Sequence, residues 1–135
     1  MRKLVILTLM TLTACRTVGV STTSGGYAEV SATVANEMVL DSRQVVILDI
    51  RAASDYRGQD GHLAGALSAP FETIERQLPE LLPYQNQTVL VYGANATDGA
   101  LAARLLSLAG FRNVVHVAGG LEAWIAHGYR TVNAH

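Results

Sequence analysis

Short, nearly unbroken apolar runs set among helical patterns constrain this chain more than any other feature. Val45-Val46-Ile47-Leu48, Thr88-Val89-Leu90-Val91-Tyr92 and Val114 to Val117 lack the polar alternation of a strand with one wet face. Strands of that kind are covered on both sides, as in a parallel sheet between two helical layers. Helical signals separate them. Ser31 is placed to cap a helix through about Asp41, with Val34, Met38 and Val39 on one face. Ala66 to Ala69 reads as a short strand stopped by Pro70, and a helix from about Phe71 should end or bend at Pro79. Leu101, Leu105 and Leu108 fall at i, i+4 and i+7 as an apolar helix face, with Gly110 as the C-terminal cap. Gly119-Gly120 opens a last short helix carrying Leu121, Trp124 and Ile125. Strict alternation of strand and helix implies right-handed crossovers and a single α/β domain. Its central parallel sheet has about five strands, with helices on both faces. Ligands of such sheets sit at the carboxyl ends of the strands, which directs attention to the turn after Tyr92.

The first residues carry a different signal. Met1 to Cys15 begins with basic Arg2 and Lys3, continues with an apolar run from Leu4 to Leu12 broken by Thr8 and Thr11, and ends Leu12-Thr13-Ala14-Cys15. The run is too short to span a bilayer as a mature helix, so residues 1–14 are expected to be a cleaved export signal. Small residues before a cysteine resemble the lipobox of bacterial lipoproteins. That resemblance implies cleavage between Ala14 and Cys15 and acylation of the Cys15 thiol, which anchors the chain to a lipid bilayer. Stable anchoring needs several acyl chains, as this modification supplies. Arg16 is not the Asp associated with inner-membrane retention, which points to the outer membrane, facing the periplasm, in a Gram-negative cell envelope. Residues 15–26, polar and glycine-rich after the cysteine, read as a flexible tether, and residues 27–135 as the folded domain.

Removing 14 of 135 residues leaves 121, enough for one domain with a proper core. The ten basic residues lose Arg2 and Lys3, so eight face eleven acidic ones and the net charge becomes −3. No lysine remains and the arginines are scattered, which argues against nucleic acid and against a polybasic membrane patch. Cys15 is the one cysteine, so burial, not disulfides, must hold the fold.

The domain resembles a known family. Leu48-Asp49-Ile50-Arg51, then Asp55-Tyr56, then Gly61-His62-Leu63-Ala64-Gly65-Ala66 are similar to the opening signature of a rhodanese-like domain. Val89-Leu90-Val91-Tyr92, the alanine-rich stretch to Gly110-Phe111-Arg112-Asn113-Val114, and Gly119-Gly120-Leu121-Glu122-Ala123-Trp124 resemble its second half. The resemblance covers about Val30 to Tyr129 in order and at compatible spacing, a specific combination of individually weak pieces. It implies a nucleophilic cysteine directly after Tyr92, four loop residues, an arginine, and then a helix. The cysteine would attack the outer sulfur of a donor such as thiosulfate, in a loop whose amides favour the anion.

This sequence has Gly93-Ala94-Asn95-Ala96-Thr97-Asp98 there. Gly93 has no side chain to attack with, and Asp98 puts a carboxylate where a guanidinium would draw an anion. Both changes count against sulfur transfer and against the arsenate-reductase and phosphatase relatives that use the same cysteine. Other roles stay open at this level. Asp98 suits either a general base or, with Thr97, the capping of a helix start. Asn95, Thr97, Asp98 and Arg51 are candidate ligand-binding residues, although turn residues are common for backbone reasons alone. The resemblance makes Asp49 and Arg51 a structural pair and His62 a packing residue. The four histidines show no metal-ligand spacing, and neither a metal nor another cofactor is expected. Ser68 lacks a nucleophile-elbow sequence, and Trp124 reads as core. The expected function is a catalytically inactive, membrane-anchored module that binds a protein partner or a small anion at loop 93–98. The alternative is an enzyme with relocated chemistry, a hydrolase using Asp98 or His62 with water, and after it a residual sulfurtransferase.

Overall fold

The computed structural model describes residues 20–41 and 44–133. Cys15 and the expected export signal lie outside these residues. The elements are β1 (Val20–Thr22), β2 (Ala28–Val30), α1 (Ala32–Asp41), β3 (Val45–Asp49), α2 (Ala53–Tyr56), β4 (Leu67–Ser68), α3 (Ile74–Leu81), β5 (Thr88–Tyr92), α4 (Ala96–Leu108), β6 (Asn113–Val117) and α5 (Gly120–Ala126), with short 3₁₀ turns on either side of α3. One six-stranded sheet runs in the order β1-β2-β6-β5-β3-β4. All its pairings are parallel except that of β1 with β2.

The side chains alternate between two cores. Ile47, Leu90, Tyr92, Val115 and Val117 face Ala32 and Ala35 of α1 and Leu121 and Trp124 of α5. Leu48, Val89, Val91 and Val114 face Ile74 and Leu81 of α3 and Ala102, Ala103 and Leu106 of α4. The doubly covered sheet expected from the apolar runs is therefore present. Trp124 is core, and its indole Nε1 donates to the Arg130 carbonyl at 2.9 Å. Ser31 caps α1, its Oγ accepting from Val34 N at 3.2 Å. α4 closes on Gly110 at φ +96, with Phe111 N donating to the Leu106 carbonyl at 3.1 Å, the Schellman arrangement that a glycine at this position permits.

Three expectations need correction. Val20 to Gly26, read from composition as tether, belong to the fold. Val20, Ser21 and Thr22 lie opposite Val30, Glu29 and Ala28, because β2 would otherwise present open backbone groups at the sheet edge. The turn back is held by Thr23 Oγ1 donating to the Tyr27 carbonyl at 2.8 Å and Ser107 Oγ donating to the Gly26 carbonyl at 3.0 Å. The buried face of α4 is not the leucine stripe: Leu101 and Leu108 are 50% and 78% exposed, while Gly99, Ala102, Ala103 and Leu106 are buried. Small residues let the helix approach the sheet closely, which leaves Leu101 and Leu108 outside and Leu105 partly buried at the margin. Finally, Pro79 sits inside α3 and the helix continues to Leu81. Pro79 and Glu75 are both exposed residues, so the missing N–H falls on the outer side of the helix.

Candidate functional site

The carboxyl ends of β3 and β5 meet in a buried polar cluster. Asp49 and Tyr92, the last residues of the two strands, are opposite each other, and the Tyr92 hydroxyl donates to Asp49 Oδ2 at 2.6 Å. Arg51 Nη2 reaches Asp49 Oδ2 and the Gly61 carbonyl, each at 2.6 Å, and its Nε reaches Asp49 Oδ1 at 3.0 Å. Leu63 N donates to the Tyr92 hydroxyl at 3.1 Å. The cluster ties the connection after β3 down onto the strand ends. Asp49 is fully buried, and so needs these partners. Burial alone would lower the Arg51 guanidinium, but the hydrogen bonds and charge of Asp49 outweigh it and the net shift is upward. Burial first, and then the Asp49 charge, push the Tyr92 phenol up, so it remains a neutral donor. His62 is a packing residue, stacked on Tyr56 at 3.7 Å between ring centroids with Nδ1 2.9 Å from the Tyr56 carbonyl.

Gly93 is buried at the base of the following loop. A side chain there would bring its Cβ within 3.1 Å of both Gly99 N and Ile50 Cδ1. Leu121 N and Glu122 N, at the start of α5, donate to the carbonyls of Gly93 and Ala94 at 2.9 and 3.0 Å. Gly120, at φ +58, is required here, because a Cβ would strike the Gly93 carbonyl oxygen. Asn95 is the N-cap of α4, its Oδ1 accepting from Thr97 N at 3.1 Å. The capping role considered for Thr97 and Asp98 thus falls to Asn95, one residue before the helix. Asp98 is in the first turn with its carboxylate exposed and, among the described residues, without a hydrogen bond or ion pair.

Two clefts open on this edge. One of about 580 Å³ lies between the connection after β3 and α5, lined by Arg51, Asp55, Gln59, Asp60, Glu122 and Ile125 among others. The second, of about 390 Å³, is lined by Ile50, Arg51, Asp55, Phe71, Glu72 and Asp98 among others. Ala94 borders both. Of the four candidate ligand residues, Arg51 and Asp98 share the second cleft, whereas Asn95 and Thr97 line neither. His62 lines neither as well. Asp55, Asp60, Glu72 and Glu122 were not singled out from sequence, although Asp55 and Glu122 stand inside the quoted motifs at strand ends. Arg51 is the one cation lining the clefts, and its charge is matched by Asp49. No cluster of three His, Cys, Asp or Glu able to hold a metal ion occurs among the described residues.

A family profile for the Rhodanese-like domain matches residues 19–127. The chain belongs to the rhodanese-like family. The rhodanese-like domain of Alr3790 from Anabaena sp. is 33% identical, with a TM-score of 0.70, covering 78% of this chain and 79% of that one. RPA3614 from Rhodopseudomonas palustris, whose description names a possible tyrosine phosphatase, is 27% identical with a TM-score of 0.68, covering 76% and 82% of the two chains. Among curated proteins, slr1261 of Synechocystis sp. is 28% identical over 77% of this chain and 58% of its own. YrkF of Bacillus subtilis, whose name proposes a sulfur carrier, is 24% identical over 77% of this chain and 54% of its own. The chain thus spans somewhat more than half the length of these two relatives. The rhodanese-like match begins at residue 19, in agreement with β1 as part of the fold.

Proposed function

We propose that this rhodanese-like domain is a non-catalytic binding module, anchored to a bacterial envelope membrane by acylated Cys15, whose strand-end clefts take a basic segment of a protein partner. The observation that carries the reading is Gly93, buried and tightly enclosed at the position where the family resemblance implies the nucleophile. Asp98 and the other cleft carboxylates support a cationic occupant over an anion. Asp55, Asp60, Glu72, Asp98 and Glu122 line the clefts against a single, already paired arginine, and like charges disfavour thiosulfate in the same space. The lipobox-like end of the first segment supports the anchor, and its cysteine is the one thiol of the chain. Of the two residues on which a hydrolase alternative could rest, Asp98 or His62, His62 is held by Tyr56 and lines neither cleft, and Asp98 lines the second cleft with no general acid beside it among the described residues.

The test is thiosulfate:cyanide sulfur transfer by the purified full chain, expected at the no-protein level; clear turnover would refute the reading. Gly93→Cys with Asp98→Arg adds the mechanistic control. Its thiolate would attack the outer sulfur of thiosulfate, form a persulfide and release sulfite, and mass spectrometry should show one added sulfur. Gly93→Cys alone, still facing Asp98, should remain unmodified. For the anchor, Cys15→Ala should abolish lipid labelling and membrane retention.

A further inference from the structure

The link between Cys15 and the fold is shorter than composition indicates. β1 begins at Val20, so only Arg16 to Gly19 separate it from the cysteine. Five residue steps reach at most about 18 Å fully extended. The attachment point is also directional. Val20 is opposite Val30, and Val30 is opposite Val117. Val91 is opposite His116, which puts Tyr92 at the level of Val117. The chain therefore enters the sheet at its carboxyl edge, the edge that carries loop 93–98 and both clefts. Three strand spacings separate β1 from β5, about 14 Å sideways along that edge. The amino edge, where Asn86 precedes β5, is a strand length further off, about 16 Å for five residues.

We infer that the short link holds the carboxyl edge of the sheet toward the bilayer, so that the clefts engage a basic segment of a membrane-embedded protein at the bilayer surface. The inference rests on the acyl anchor proposed above. Charge chooses between a protein and the lipid itself. The mature chain has eight basic residues against eleven acidic ones, and five carboxylates line the clefts. Anionic headgroups are thus repelled from the clefts, and the tether alone brings them near the surface.

The experiment uses the acylated full chain in vesicles of phosphatidylethanolamine and phosphatidylglycerol. Acylation consumes the native thiol, so a cysteine introduced as Gln59→Cys in the larger cleft, or as Asn86→Cys at the amino edge, accepts a single label. A fluorophore at 59 should be quenched by headgroup-labelled lipid and one at 86 should not. A Gly/Ser insert between Arg16 and Gly19 should remove that difference while flotation with vesicles persists. Equal quenching, or stronger quenching at 86, overturns the orientation. A photo-crosslinker at 59 should join an arginine-rich peptide fused to a membrane-spanning helix, and lose it in Asp55→Asn with Glu122→Gln. Crosslinks to lipid alone, or peptide crosslinks unchanged in that variant, overturn the partner class. Absence of acylation or flotation would instead refute the anchor, which these readouts distinguish from a wrong orientation.

Discussion

Gly99→Ala sets two physical effects against each other, and the structure decides the sign. A glycine inside a helix costs about 1 kcal/mol relative to alanine, so helix propensity alone predicts a stabilised protein. At Gly99, however, an added Cβ would lie 2.7 Å from His116 Nε2, 2.9 Å from His116 Cδ2 and 3.1 Å from Gly93 N. The imidazole has little freedom to retreat. It is fully buried on β6, its Nδ1 is 3.1 Å from Glu29 Oε2, and Tyr27 stands edge-on at 6.2 Å. Its Nε2 has no partner among the described residues. Turning the ring would break the Glu29 contact and leave two buried nitrogens unpaired. The alternative is for the first turn of α4 to lift, displacing the loop that begins at Gly93. Overpacking of this kind costs about 1–3 kcal/mol, which outweighs the propensity gain. With the middle of that range, about 2 kcal/mol, set against a gain of about 1, we expect a net loss of about 1 kcal/mol, or roughly 3–6 °C in Tm for a domain of this size. Thermal and urea unfolding followed by circular dichroism would measure it. His116→Val in the same chain removes the ring, and the cost of Gly99→Ala should then fall to what the approach to Gly93 N leaves, since residues in contact are not additive. A Gly99→Ala protein more stable than the parent, or an equal cost on both backgrounds, would refute the argument.

Tyr92→Phe removes the donor to Asp49 and strands Leu63 N, and should destabilise the domain by about 1–3 kcal/mol in chemical denaturation. The same residue predicts an alkaline dependence. The folded state raises the phenol pKa, so the stability this gives is complete below the ordinary value of about 10 and is lost as pH rises from there toward the folded value. Tyr92→Phe should lack that part of the alkaline decline, and an unchanged decline would count against the network. Asn95→Ala should cost about 1 kcal/mol through loss of the α4 cap, and Asp98→Ala should cost less, since Asp98 caps nothing; the reverse order would return the cap to Asp98.

The parallel sheet and its helical layers were legible because β3, β5 and β6 are each largely apolar, a pattern that depends only on local sequence. What stayed hidden depends on contacts between distant segments. β1 is Val-Ser-Thr with every residue exposed, and nothing in its composition shows that β2 offers it an edge. The α4 face was misassigned because two stripes share one period. Leu101, Leu105 and Leu108 satisfy i, i+4, i+7, while Gly99, Ala102, Ala103 and Leu106 satisfy i, i+3, i+4, i+7. Hydrophobicity selects the leucines, but the close approach of helix to sheet selects the smaller side chains. At the site, the motifs located the strand ends and the vacancy of side chain at Gly93, yet not its enclosure. Gly93 is held against Gly99, and Gly99 in turn makes room for His116 from β6, seventeen positions further along the chain, across a crossover. The two glycines therefore act together: a side chain at residue 93 would crowd Gly99 N and Ile50, and one at residue 99 would strike the buried imidazole. A Cβ restored at residue 93 needs Gly99 N and the Ile50 methyl to give by a few tenths of an ångström in the single and the double variant alike, so it is the charge of Asp98 that should make the single substitution fail where the double one can still take sulfur.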